Sequence, residues 1–548
     1  MEMELSRRQV LLAGGFVVTG AVLAGCSSGS SSGSASTSSE AGALQKATIK
    51  DVVYAQNVQI TSLATGGKQP QVYPAGYEAA FAIYSGLVRF DKDLNFEPDL
   101  ATKWSTSNDG RTWTFTLRQG VKFQDGAPFN ADAVVAYFTK MIDKSYNLSA
   151  YSLWSPIQSS SKVDDYTVAV TTTKPYGALL NTLAHGSGLI PSPALTAQGP
   201  DAAGLHPIGT GPYRVDTFQP GTNLVVTANP DYYGDKPIYQ TITYTYVGDA
   251  AGRVAALQSG QVNIIAATPV QQAQALTSAN GLHLIQVAGL QVFGVALNQT
   301  NLILQDKDVR QALNLAIDVD AIIKALFRGY ATQLDSPLAP KTVGHATVGK
   351  NTYDPRQAKD LLKKAGLTAG SDGRLAKDGT PVNLRLRTPD GMYPNDTLVA
   401  QAIQEQLSKV GVGVTIQKVD KSTFWDGIKV AKAAVDFDLV LFGFNPSHGS
   451  GALQLDIMYR SNPGPGPVSG WNFNWYSNPA VDELLTTALQ TVEPSKQADV
   501  LAKAEKIIWD DAPYVWLYVP NILTAYDSKA ATPLLLPVVF TLPSRRTS

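Results

Sequence analysis

From Ile49 to Trp509 the chain alternates β-branched runs with capped, amphipathic helical stretches, a pattern that confines it to a mixed α/β fold. Ile49–Tyr54 predicts a strand. Trp104–Leu117 predicts a hairpin turning at Asn108-Asp109-Gly110, with Trp113, Phe115 and Leu117 alternating with threonine. Asn130 predicts the cap of a helix whose apolar stripe is Val134, Val135, Phe138, Met141 and Ile142. Asp354-Pro355 opens a second helix that Gly366 stops, and Leu398–Gly411 forms a third, followed by the strand Val414–Val419. Asp436–Phe442 reads as a strand buried on both faces, Asn478-Pro479 opens another helix, and Leu501–Trp509 is the last. No internal repeat is present, which excludes solenoids and propellers. A chain of 548 residues has room for two or three domains.

Charge and side-chain inventory remove several functions. Lys and Arg number 44 against 45 Asp and Glu, so the chain lacks the basic excess that neutralises nucleic-acid phosphates. Cys26 is the single cysteine, so an intrachain disulfide and a cysteine metal cluster are both impossible. The five histidines (His185, His206, His283, His345, His448) are scattered, with no metalloprotease pair. Gly29–Gly33 matches the GxSxG hydrolase pattern only by lying in low-complexity sequence. Gly344–Asn351 approaches the phosphate-binding GxxxxGK[ST] pattern, but Asn351 replaces the hydroxyl residue and no apolar strand precedes it, so a surface loop is expected.

Residues 1–25 have the parts of an export signal: Arg7-Arg8, an apolar run from Val10 to Ala24, and small residues at its end. Leu23-Ala24-Gly25-Cys26 resembles a bacterial lipobox, which implies a lipid on Cys26 and attachment to the membrane surface. Ser6-Arg7-Arg8-Gln9-Val10-Leu11-Leu12 also resembles a twin-arginine signal. Residues 26–45, rich in Ser, Gly, Ala and Thr, form a flexible tether.

Seven motifs then follow in order: Tyr84–Val88 with Glu97–Ala101; Asp109–Phe115; Gly120–Gly126; Phe129–Val134; Gly209–Tyr213; Asn229–Gly234; and Asp308–Leu313 with Ala316–Asp318. This series resembles the family 5 bacterial extracellular solute-binding proteins, the peptide/nickel class. The resemblance implies a two-lobed periplasmic-binding-protein-like fold of type II, in its large cluster C form. Residues 46–85, 207–289 and 518–548 would make lobe I, 86–206 a subdomain inserted in it, and 290–517 lobe II. Hinges are expected near Val287–Asn298 and Leu517–Leu523. The motifs are expected to be scaffold, with Arg310 paired to a carboxylate or carbonyl.

The resemblance also implies a non-enzymatic, monomeric receptor of an ABC importer outside the cytoplasm. It would work with permease subunits and their ATPases, without cofactor or resident metal. Peptide-binding relatives place an Asp after the strand equivalent to Phe437–Phe442; here Gly443–Ser450 holds Asn445 and His448 and no carboxylate before Asp456. An isolated buried ammonium is costly, so a peptide-sized or oligosaccharide-sized solute uncharged at this point, such as a neutral oligosaccharide, is expected, with an oligopeptide or metal-chelate receptor of the same fold, or a secreted hydrolase, as alternatives. Candidate ligand-binding residues are Tyr54, Asn57, Tyr151, Trp154, Trp425, Asn445, His448 and Trp471. Trp154 and Trp471, beside Pro or Gly, look less core-like than the other aromatics.

Overall fold

The computed structural model describes residues 48–67, 75–146, 148–199, 201–277, 281–468, 470–530, 534–535 and 540–541. The export signal, Cys26 and the tether lie outside the described residues. Among the described residues no helix is long and apolar enough to cross a membrane.

Three sheets carry the architecture. The first has eight strands in the order Leu282–Ala288, Tyr518–Asp527, Ile264–Ile265, Asp51–Gln56, Thr241–Tyr246, Asn223–Ala228 and Tyr213–Gln219, with Ala331–Gln333 also pairing with Tyr518–Asp527. The second runs Gly413–Asp420, Asn383–Asp390, Leu439–Phe444, Val292–Leu297 and Tyr514–Trp516. The third is antiparallel and lies within the stretch expected to be inserted: Ala101–Thr106, Thr112–Leu117, Thr167–Thr172 and Ile157–Asp164.

Each sheet buries one set of side chains against its own helices. Phe115, Leu117 and Val168 pack on Val134, Phe138 and Met141. Leu384, Leu386 and Leu441 pack on Leu313, Val399 and Ile403. Val52, Tyr54 and Ile242 pack on Ala79 and Ile83. Apart from the short excursion of Ala331–Gln333 to the first sheet, the chain crosses between the first two sheets twice, at Gly289–Gln291 and at Leu517, inside the stretches expected to hinge.

Local signals end up where their chemistry requires. Asn130 caps Ala131–Ile142, its side chain accepting from the Ala133 N–H at 3.1 Å. Replacing it with alanine is expected to cost about 1 kcal/mol in urea unfolding. Asp354 caps Pro355–Lys364 by accepting from Arg356 and Gln357. The buried strand starts at Leu439, three residues later than the sequence suggests, and extends through Phe444, buried throughout. Arg310 meets carbonyls rather than a carboxylate, donating to Asp511, Leu304 and Gln305. A Cβ at Gly209 would lie 2.4 Å from the Ile83 oxygen, so this motif glycine serves backbone packing.

Candidate functional site

In the first sheet Asp51–Gln56 is parallel to Thr241–Tyr246 and to Ile264–Ile265, so their carboxyl ends emerge on one edge. In the second, Asn383–Asp390 is parallel to Gly413–Asp420 and Leu439–Phe444, and their carboxyl ends likewise share an edge. Ligands of open α/β sheets bind outside such edges. Here the two edges line one cavity of about 600 Å³, with Asn57, Tyr246 and Asp249 on one wall and Gly391, Met392 and Lys421 on the other. Arg253 stiffens the first wall by donating to the carbonyls of Val247, Gly248, Ala266 and Ala267 at 2.8–3.2 Å.

The Asn445–Ser450 loop, which follows Leu439–Phe444, meets the segment Asn181–Ser187. Asn181 Nδ2 donates to the His448 carbonyl at 2.9 Å. His185 Nε2 lies 3.2 Å from Ser447 Oγ and 3.0 Å from Tyr77 OH, while its Nδ1 accepts from the Ser187 N–H at 3.1 Å. Both imidazoles are 5% exposed. Burial pushes His185 down to about 4. Burial, and then the proximity of His185, push His448 down to about 3. Both rings are therefore neutral near pH 7. The next carboxylate along the chain, Asp456, is engaged by Arg460 at 2.6 Å.

The sequence candidates fall into three groups. Asn57, Trp425, Asn445 and His448 occupy loops at the carboxyl edges, and Trp471 joins them through Trp425, ring centroids 4.9 Å apart, and Phe444, 5.5 Å apart. Lys429 Nζ, half-buried, sits 3.9 Å from the Trp471 ring centre. Tyr54 is buried in the first sheet beside Tyr244 and bonded to Glu78, whose carboxyl burial pushes up to about 8. Trp154 corrects the sequence reading: it is fully buried, edge-on to Tyr137 and Phe138, with Nε1 donating to Ser187 Oγ at 3.0 Å. It thus stands one hydrogen bond behind His185. Tyr151 packs half-buried against the same core. His448 is buried at the contact, not exposed in its loop. Tyr77, Asn181, His185 and Ser447 escaped the sequence reading. The one local signal was the run His185-Gly186-Ser187-Gly188, in which small residues let the turn fold back on the ring.

The Gly344–Asn351 loop cannot cradle phosphates with its backbone. The N–H groups of Val348 and Gly349 bond to the Asp335 carbonyl, that of Ala346 to Glu505, and Asn351 Nδ2 to the Trp516 carbonyl. Lys350 is exposed. Lys350→Ala is expected to change stability and solute binding by no more than about 0.5 kcal/mol, checked by melting and calorimetry. Nucleotide hydrolysis abolished by the change would contradict this.

Two sheets offering their carboxyl edges to one cavity, joined by two chain crossings, define the two-lobed receptors that capture a solute between their lobes. Residues 95–466 match the family described as bacterial extracellular solute-binding proteins, family 5 Middle. The chain is 31% identical over 494 residues to the glutathione-binding protein GsiB of Salmonella typhimurium, spanning 89% of this chain and 93% of that protein. Its fold is similar to HbpA2 from Haemophilus parasuis, with a TM-score of 0.76, 25% identity, and 90% and 99% of the two chains covered. It also resembles the oligopeptide-binding protein AppA from Bacillus subtilis in complex with a nonapeptide, with a TM-score of 0.72, 26% identity, and 88% and 95% covered. The chain belongs to family 5 of the bacterial extracellular solute-binding proteins. It is an extracytoplasmic, non-enzymatic substrate-binding component of an importer.

Proposed function

We propose that the chain is the receptor of an ABC importer for a short peptide or peptide-like solute of about tripeptide size. Residues 46–289 and 518–548, with 86–206 as the insertion, form one lobe and its subdomain. Residues 290–517 form the other. The observation that carries this reading is the cavity of about 600 Å³ between the two carboxyl edges, within the range of about 300–1,000 Å³ usual for small-molecule sites. The similarity to a glutathione-binding protein supports a peptide over the neutral oligosaccharide expected from the sequence. Because Gly443–Ser450 brings no carboxylate, the solute does not present a free ammonium to that loop.

Calorimetry on the chain from residue 46 onward tests this with glutathione, tri- and tetrapeptides, their N-acetylated forms, and neutral oligosaccharides. Binding of tripeptides that survives N-acetylation is expected. Binding of oligosaccharides alone, or peptide binding lost on N-acetylation, would overturn it. The same proposal holds the mature protein at the membrane through lipidated Cys26, with residues 26–45 as tether and the twin-arginine route for export. Mass spectrometry of membrane-associated protein is expected to find the lipid on Cys26, and Arg7→Lys with Arg8→Lys to block export.

A further inference from the structure

We propose that His448 reads the captured solute by donating its Nε2–H to an acceptor oxygen, a carbonyl or a carboxylate. The inference rests on the chain being a receptor for a peptide-like solute. The Ser450 N–H donates to His448 Nδ1 at 3.1 Å, so Nδ1 carries a lone pair there. A neutral imidazole with an acceptor Nδ1 carries its proton on Nε2; the tautomer is thus assigned from hydrogen-bond geometry. Burial keeps the ring neutral. His448 Nε2 is buried and has no hydrogen-bond partner among the described residues, and a buried donor left unpaired costs about 1–3 kcal/mol.

His185, opposite, has the same tautomer for the same reason: the Ser187 N–H occupies its Nδ1. Its Nε2–H has oxygens within reach on Ser447 and Tyr77. The Asn181 amide also faces the contact as a donor and spends itself on the His448 carbonyl. Among the described residues, the His448 Nε2–H is thus a donor at this contact with no acceptor in place. The Asn445–Ser450 loop starts where Leu439–Phe444 ends, parallel to Asn383–Asp390, whose following residues Gly391 and Met392 line the cavity, and Tyr393 OH donates to the Gly443 carbonyl at 3.3 Å. An incoming ammonium would set donor against donor. An incoming oxygen completes the pairing, so the polarity of this loop is opposite to that of a carboxylate-bearing one.

The test combines affinity with direct observation of the ring. The probe is glutathione, titrated into the chain from residue 46 onward and into His448→Leu and His448→Gln. Leucine removes the donor at similar volume, while glutamine places an amide N–H close to Nε2. Affinity is expected to fall about 10- to 100-fold in His448→Leu, the range for a hydrogen bond to a charged group, and to recover most of that in His448→Gln. Unliganded melting of both variants is compared with the parent to show that they are folded. Unchanged affinity in His448→Leu, or glutamine no better than leucine, overturns the proposal. Nitrogen-15 spectra of the imidazole supply the second readout. The Nε2–H form, unmoved by added nickel ion, is expected; an Nδ1–H form, or loss of the Nε2 proton to nickel, overturns it. Should glutathione fail to bind the parent chain, the solute class falls, and the ring spectrum still decides whether His448 is the donor.

Discussion

Replacing Gly177 with alanine is expected to lower solute affinity about 5- to 150-fold while leaving the unliganded fold intact. Gly177 lies between Thr167–Thr172 and Leu179–Ala184, in the proposed insertion, and its N–H donates at 2.8 Å to the carbonyl of Leu489, in the proposed second lobe. A Cβ at this position would sit 2.0 Å from the Thr491 carbonyl oxygen and 2.6 Å from Gln497 Nε2. Gln497 cannot swing aside freely, since its Nε2 bonds to the carbonyls of Ala488 at 2.9 Å and Thr491 at 3.1 Å. Forcing a methyl group into such a contact typically costs about 1–3 kcal/mol, which is the stated range of affinity. Because the clash is between lobes, opening relieves it, and the cost falls on the liganded state alone. Calorimetry measures the affinity, and small-angle scattering the contraction on adding solute. Gly464→Ala, where nothing lies within 4 Å, is the control. Parent-like affinity with parent-like contraction in Gly177→Ala would show that these lobes do not meet here in the liganded protein.

What the sequence reveals of this molecule is what its chemistry writes locally. Asn130, Asp354-Pro355 and Asn478-Pro479 satisfy helix N–H groups within three residues, and each predicted helix is present. The strand after Asp436 was misplaced by three residues because a fully buried strand has no alternation to fix its start. The order of the sheets could not be read from periodicity; through the family resemblance the motif series supplied only the two-lobed plan. Half of the site was legible because loops after strands are recognisable: Asn57, Trp425, Asn445 and His448 lie on them. The other half rests on pairs such as His185 with Ser447, 262 positions apart, and no local pattern encodes that separation. Trp154 misled for a related reason. A neighbouring proline says that the backbone turns at Pro156, not that the side chain before it is outside.

Acidification is expected to release the solute between pH 6.5 and pH 5, and the two buried histidines give the sign. In this structure His185 touches Ser447 and Tyr77, and the His448 carbonyl accepts from Asn181 while its ring feels His185; on the proposed lobe division the Ser447 and Asn181 contacts cross between lobes and belong to the closed form. Among the described residues neither ring has a carboxylate within ion-pair distance, so with a solute that offers His448 a neutral carbonyl nothing in the contact favours the imidazolium. Opening separates His185 from Ser447 and His448 from Asn181 and returns both rings to water, where an imidazole titrates near 6.5. Closed-state values lie below the open-state value, at about 4 for His185 and about 3 for His448. Stabilisation of the closed form is therefore fully present above pH 6.5 and is lost as pH falls toward 4. At pH 5 the open form gains about 2 kcal/mol from protonating one such ring, or about 30-fold in affinity, and more with the second. Calorimetry at pH 7.5, 6.5, 5.5 and 5 with a solute that does not itself titrate there reads the effect. His185→Gln with His448→Gln removes both titrations and is expected to flatten the profile, while the parent falls steeply. A parent profile as flat as that of the double variant would mean that the rings remain dry in the open form, and that the lobes part along a different surface.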